Sequence, residues 1–559
     1  MKRNDDVKCF KFHASSFKNM AELSEDTKSL ISNYELWRKS LKPKEGAPTI
    51  HVDEVASKVA AFYEQIRTII DWKEEHLMRR AAIIRKLKRR FLDLELNNFS
   101  STENIAEPLV LEFIRGGYFP NDKIEESKIK DVQKLIEKYV FILKNSPENK
   151  KGKAGLQFYG KLLEIAACEI EETLAPSVKE MALIGYMFSQ MQERIRIHEN
   201  IYERNLLKKE EKDIQIYIAV QQALFKLDNP IISYNLLRYK YPYWDSPSED
   251  ELLKISQNIY KILNTIENDL SHPLLKKFYK ICEKYDTPYL LLGDILSAND
   301  AEKTAKEIED PPLLEESIKN VYAKRLKDLK AKITRAAIYS TASIFITKIL
   351  SLLILEIILA KILQNHLNFT ALIADVLIPT LLMATLVITV KPPSKKNLHM
   401  AIIETIKIVY KKEKPEFYEI KAARKRGLII RLILSLIYLM SAVFSFGLIY
   451  LAFSYFKFPI TSIIINIIFI ALILFAGNAI RTRSEELTIE EESEGLLGFA
   501  SDILFLPVAG MGRWMSNTWK QYNAIAAFFS ALIDMPFSAF VEFLERWRYF
   551  IKEKKEDLR

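Results

Sequence analysis

Four ionisable side chains sit inside stretches that are otherwise apolar. Lys348, Glu356 and Lys361 fall within residues 337–363, and Asp375 falls within residues 369–390. A charge in hydrocarbon is expensive, so such residues pair with one another or mark an ion or proton path. Lys348 and Glu356 are about 80° apart around a helix, so both can face inward. Folding the chain about position 366 sets Asp375 near Glu356 and within reach of Lys361. Two readings stay open. One is an ion or proton pathway. The other is neutralised pairs, with Lys361 snorkelling to the interface.

A second group of charges is basic: Arg79, Arg80, Arg85, Lys86, Lys88, Arg89 and Arg90. It could form a phosphate-binding surface for a lipid headgroup or RNA. It could equally be a solvated helix face balanced by Glu64, Asp71, Glu74 and Glu75. The net charge of +9 is partly explained by residues flanking the apolar stretches and does not imply nucleic acid.

Catalytic and metal patterns are not found. Gly155 to Lys161 has the spacing of a phosphate loop, but Leu162 stands where Ser or Thr should hold magnesium, and the flanks read as helix. No His-Glu-x-x-His pattern occurs, and His76, His198 and His272 are isolated. Cys9, Cys168 and Cys282 are scattered, which fits free thiols in a reducing compartment rather than a disulfide framework. The expectation is a protein with no catalytic site, no metal and no cofactor.

The elements that must position these residues are long helices. Four apolar stretches, residues 337–363, 369–390, 428–456 and 459–480, each reach the ~20 residues a membrane span requires. The first is ~40 Å long as a helix and must tilt or protrude. Very short joins make two antiparallel hairpins, because backbone polar groups in lipid must bond within each helix. Asn466, Asn478 and Pro379 read as packing contacts and a kink. Lys324 to Arg335, the basic segment 391–426, and Arg481 with Arg483 flank the same side of the spans. The positive-inside rule then puts both termini in the cytosol. Residues 1–20 contain no long apolar core, so no cleavable signal is expected.

The whole chain reads as all-α. Mean hydropathy of −0.03 averages a polar front half and an apolar back half, and Gly and Pro are scarce. Residues 1–52 read as a flexible arm with one short helix. Residues 53–335 read as a multi-helix cytosolic domain, opening on a long helix to about residue 96 that packs against another in coiled-coil fashion. Within it, Gly116-Gly117 can supply a left-handed helix cap, and residues 229–244 read as an aromatic loop. The first hairpin is 336–390 and the second 428–480. Between them, segment 391–427 carries an amphipathic helix expected on the inner leaflet, or else packed on the cytosolic domain. Residues 481–559 form an acidic linker and an apolar tail broken by Pro507, Gly510, Gly512 and Pro536. This tail is expected as helices half sunk in the interface, with a protomer-protomer seam as the alternative.

Two stretches, Ala60-Ala61-Phe62-Tyr63-Glu64 through Arg90 and Pro536 through Trp547, resemble uncharacterised multi-pass helical membrane proteins of bacteria with very reduced genomes. The resemblance covers a small part of the chain. It implies a bacterial inner membrane and carries no activity or site residues. The expected function is a membrane-anchored helical scaffold bound to the lipid bilayer, as a homo-oligomer or with a membrane protein partner. The alternative is a transporter or channel subunit using the charges of the first hairpin.

Overall fold

The structure is a computed structural model. It describes residues 22–40, 47–52, 80, 83–88, 90, 104–116, 118–147, 153–298, 301–356, 369–410, 416–422, 427–489 and 496–521, with 543, 547 and 550. Most of the long helix expected from residue 53, and most of the aromatic stripe after residue 521, lie outside these. Residues 83–88 are helical.

Among the described residues the chain is almost entirely helical. The front domain is a bundle of short helices with one continuous apolar core. Its first helix, α1 (Glu25–Ser40), buries Leu30 and Tyr34 against the bundle. This part of the expected loose arm is therefore a core element. Thr27 explains why: its hydroxyl donates to Val409 O at 2.9 Å, far along the chain.

Helices α2 (Ala106–Arg115), α3 (Ser127–Asn145), α4 (Lys153–Leu174) and α5 (Val178–Arg194) follow. Gly116 ends α2 with φ −69°, so it is not itself the left-handed residue, and Gly117 lies outside the described residues. A Cβ there would come within 2.7 Å of the Tyr118 ring, and close approach is what asks for glycine. The phosphate-loop spacing lies inside α4, where Lys161 pairs with Glu267 at 2.5 Å. After α5 come strand β1 (Ile195–Ile197) and helices α6 (Glu199–Glu203) and α7 (Glu211–Phe225). The expected aromatic loop is instead mostly a helix, α8 (Asn229–Lys240). Pro230 sits in its first turn, where a missing N–H has no consequence, and Trp244 is buried just beyond it. Helix α9 (Glu249–Leu270) opens on a reciprocal capping box between Ser248 and Glu251. Then come α10 (Leu275–Lys284), α11 (Asp286–Leu296) and α12 (Ala301–Glu309).

One helix leaves this domain and enters the apolar block without a break. Helix α13 (Pro311–Ser351) is ~60 Å long at 1.5 Å per residue. Leu314, Ile318 and Tyr322 sit in the front core, and Lys348 is buried among the apolar helices. A π-helical turn, Leu352–Glu356, ends it. Helix α14 (Phe369–Ile388) contains Pro379 and packs along α13. Helices α16 (Leu428–Tyr455) and α17 (Ile460–Ser484) make the second hairpin; α15 (Lys395–Val409) precedes them. Among the described residues, three helices are long and apolar enough to cross a membrane: Pro311–Ile354, Leu428–Tyr455 and Ile460–Ser484. The apolar run Leu372–Ile388 is shorter.

The segment between the hairpins corrects the expectation of a helix on the lipid surface. Ala401, Ile402, Thr405, Ile408 and Val409 of α15 are buried in the front core. Strand β2 (Tyr418–Ile420) then pairs in parallel with β1, Ile195 opposite Tyr418. Of the two settings the periodicity allowed, packing on the domain is the one adopted.

Helix α18 (Leu496–Gln521) corrects a second expectation. Pro507 lies inside it, and it packs along α16 and α17 rather than across their ends. Val508 shares a cluster with Phe453, Ile470 and Leu474. The supposed breaks have partners. Pro507 has no N–H for the carbonyl of Ile503, and Ser441 Oγ donates to that oxygen at 2.6 Å. Ser445 Oγ donates to Leu504 O on the same turn. Gly512 abuts α17 so closely that a Cβ would lie 2.0 Å from Ala471 O.

Candidate functional site

Three helices converge on the charges of the apolar block. Helix α13 supplies Lys348, α14 supplies Asp375 and α17 supplies Asn466. Lys348 Nζ lies 2.7 Å from Asp375 Oδ2, and both side chains have no exposed surface. Asp375 Oδ2 has no hydrogen-bond partner among the described residues, so the ion pair is what neutralises it. Asn466 Nδ2 donates to Asp375 Oδ1 and, at 2.9 Å, to Ser462 O. The Phe469 ring stands 4.9 Å from Lys348 Nζ, giving the ammonium a π face. Asn466 Oδ1 and Ser351 Oγ are buried without a hydrogen-bond partner among the described residues.

The sequence positions of these residues matter locally. Pro379 stands one turn after Asp375 and offers no N–H to its carbonyl. The π turn Leu352–Glu356 follows one turn after Lys348 and shifts the helix phase beyond it. Folding about position 366 sets Asp375 near Glu356 and within reach of Lys361; among the described residues its ion-pair partner is Lys348. The side chain of Glu356 and the whole of Lys361 lie outside the described residues. Asn466, read from sequence as packing, is part of the site; its signal was a lone amide in an apolar span opposite an acid. Chemically the arrangement is a neutralised pair held by an amide. It can lock three helices together, or exchange its internal cation for a proton on the carboxylate.

The basic run fares differently. Arg80 is buried and paired with Glu171, 3.3 Å away, and with Asp228. Lys86 pairs with Glu112. These two are therefore structural, and the idea of one phosphate-binding stripe is corrected for them. Arg85 and Arg90 are half-buried and Lys88 is exposed; Arg79 and Arg89 lie outside the described residues. Of the isolated histidines, His198 caps α6, its Nδ1 accepting from Asn200 N, and His272 Nδ1 accepts from Leu274 N just before α10, each at 3.2 Å. His76 and Cys9 lie outside the described residues. Cys168 and Cys282 are buried free thiols whose pKa burial pushes up.

Two further clusters were not legible in the sequence. In the front core Glu169 accepts from Lys138, from Tyr139 Oη at 2.6 Å and from Trp244 Nε1 at 3.3 Å. All four side chains are buried, so this is a closed knot with no route for a substrate. Burial drives the Tyr139 hydroxyl well above its ordinary pKa.

The second cluster fastens the front domain to the apolar helices. Asn397, on α15, donates to Tyr322 Oη at 3.0 Å on α13 and to Leu487 O beyond α17, and its Oδ1 accepts from Ile489 N at 2.8 Å. Tyr186 Oη donates to Ile408 O at 2.7 Å, and Tyr410 Oη to Ile308 O at 2.8 Å. Searches against family models, curated proteins and solved structures each returned no match, so the site rests on its own geometry.

Proposed function

We propose that the chain is a multi-pass membrane protein acting as a non-enzymatic helical scaffold, holding its front domain rigidly at the membrane. The observation that carries this is the shared core. Leu314 and Tyr322 of the helix entering the spans, Ile402 and Val409 of the inter-hairpin segment, and Leu487 and Ile489 after the last span all pack in the front domain. A domain built into its anchor at three points transmits position, not diffusion. The proposed topology is four spans, with α14 completing the first hairpin, in a bacterial inner membrane. The basic flanks favour cytosolic termini. Its partners are the bilayer and a further membrane protein or second copy, with nucleic acid not among them.

A second reading is a transporter or channel subunit, favoured by one observation: the buried Lys348–Asp375 pair beside the unpartnered Asn466 Oδ1. Proteoliposomes separate the two. The scaffold reading expects proton and cation flux equal to empty vesicles, and a stoichiometric complex by native mass spectrometry of protein extracted from its own membrane. Flux that Asp375→Asn abolishes would replace it with the second reading.

A further inference from the structure

A cleft of about 2310 Å³ opens where the front domain meets the spans. Its two membrane-side walls have the same grammar. On α17, Leu474, Asn478 and Arg481 recur at helical spacing and line it; on α18, Leu506, Gly510 and Arg513 do the same. Each wall thus runs from apolar to arginine, and the α17 wall reaches its arginine at the end nearer the front domain. Gly510 keeps its wall open: a Cβ there would meet only Tyr438 Oη, at 3.6 Å. Lys332, Lys391 and Arg483 also line the cleft. Lys332, Lys391, Arg483 and Arg513 make no ion pair among the described residues, whereas Arg481 pairs with Glu485 at 3.8 Å.

We propose that this cleft binds an anionic phospholipid, its phosphate against Arg483, Arg513 and Lys391 and an acyl chain along Leu474 and Leu506. Three features favour this occupant. Unpaired guanidinium groups match phosphate with parallel N–H donors. Basic pockets between spans on the cytosolic side are suited to anionic headgroups. The volume exceeds the ~300–1,000 Å³ of small-molecule sites and has an apolar end that a free phosphate would leave dry.

The test uses the full chain in neutral detergent, titrated with dioleoyl phosphatidylglycerol, dioleoyl phosphatidylcholine or inorganic phosphate, and read by native mass spectrometry and thermal melting. Phosphatidylglycerol is expected to bind stoichiometrically and raise the melting temperature, with phosphatidylcholine and phosphate without effect. Arg483→Gln with Arg513→Gln should weaken binding at least tenfold. Leu506→Trp, at an exposed position of the apolar wall, should weaken it with both arginines intact. Equal binding of phosphatidylcholine, a full effect of inorganic phosphate, or unchanged lipid affinity in either variant with native circular dichroism would overturn the proposal.

Discussion

Lys348 and Asp375 pair across two helices at 2.7 Å with neither side chain exposed. Taking one partner from such a pair strands the other charge, a loss of ~3–5 kcal/mol, while replacing both with apolar groups is often neutral. Lys348→Met and Asp375→Leu are each expected to lower the melting temperature sharply in detergent, and the double variant to recover most of it. Additive losses in the double variant would show that the two do not act as a unit.

Asn397 ties three segments with one side chain. In Asn397→Ala, Tyr322 Oη, Leu487 O and Ile489 N lose their partner in a buried setting, at ~1–3 kcal/mol per unsatisfied group. Hydrogen exchange should accelerate at residues 487–489 and leave α3 unchanged. Uniform acceleration across the front domain would mean that Asn397 supports the core generally rather than the junction.

Ser441 and Pro507 form a compensating pair. Ser441→Ala removes the donor to Ile503 O and should destabilise by about 1 kcal/mol. Pro507→Ala restores a helical N–H for that carbonyl, so it should offset Ser441→Ala. The comparison needs four melting curves, and no rescue in the double variant would remove the hydroxyl from its assigned role.

Asp286 carries a pH dependence. Burial pushes its carboxyl up to about 7 from 3.8, against the opposing pull of Lys226 and a hydrogen bond from Thr287. The folded state then holds a proton that the unfolded state has released, so stability falls as pH rises from about 4 to 7 and levels off above. Asp286→Asn should flatten this decline and be more stable than the parent at pH 8. An unchanged slope between pH 4 and 7 in chemical denaturation would assign the dependence elsewhere.

The apolar stretches were legible because hydropathy is additive along the chain: residues 428–455 read as one long apolar helix in any surroundings. Helical composition was legible for the same reason, as was the helix over the phosphate-loop spacing in α4. What failed was what depends on a partner. The stripe of Ile402, Thr405 and Val409 has one periodicity whether it meets lipid or protein, and only the front core says which. Pro507 and Gly512 read as breaks because their partners, Ser441 and Ala471, stand on other helices.

By itself the sequence determined that this is a helical protein with a polar front, an apolar back and a few charges in the wrong medium. Only the tertiary structure decided where those charges go. The register of α13 against α14 is set across space, by a π turn after Lys348 and by Asn466 reaching Asp375 from α17. A pairing that neutralises a buried charge depends on distances of a few ångströms between helices, and residue spacing within one helix does not encode them.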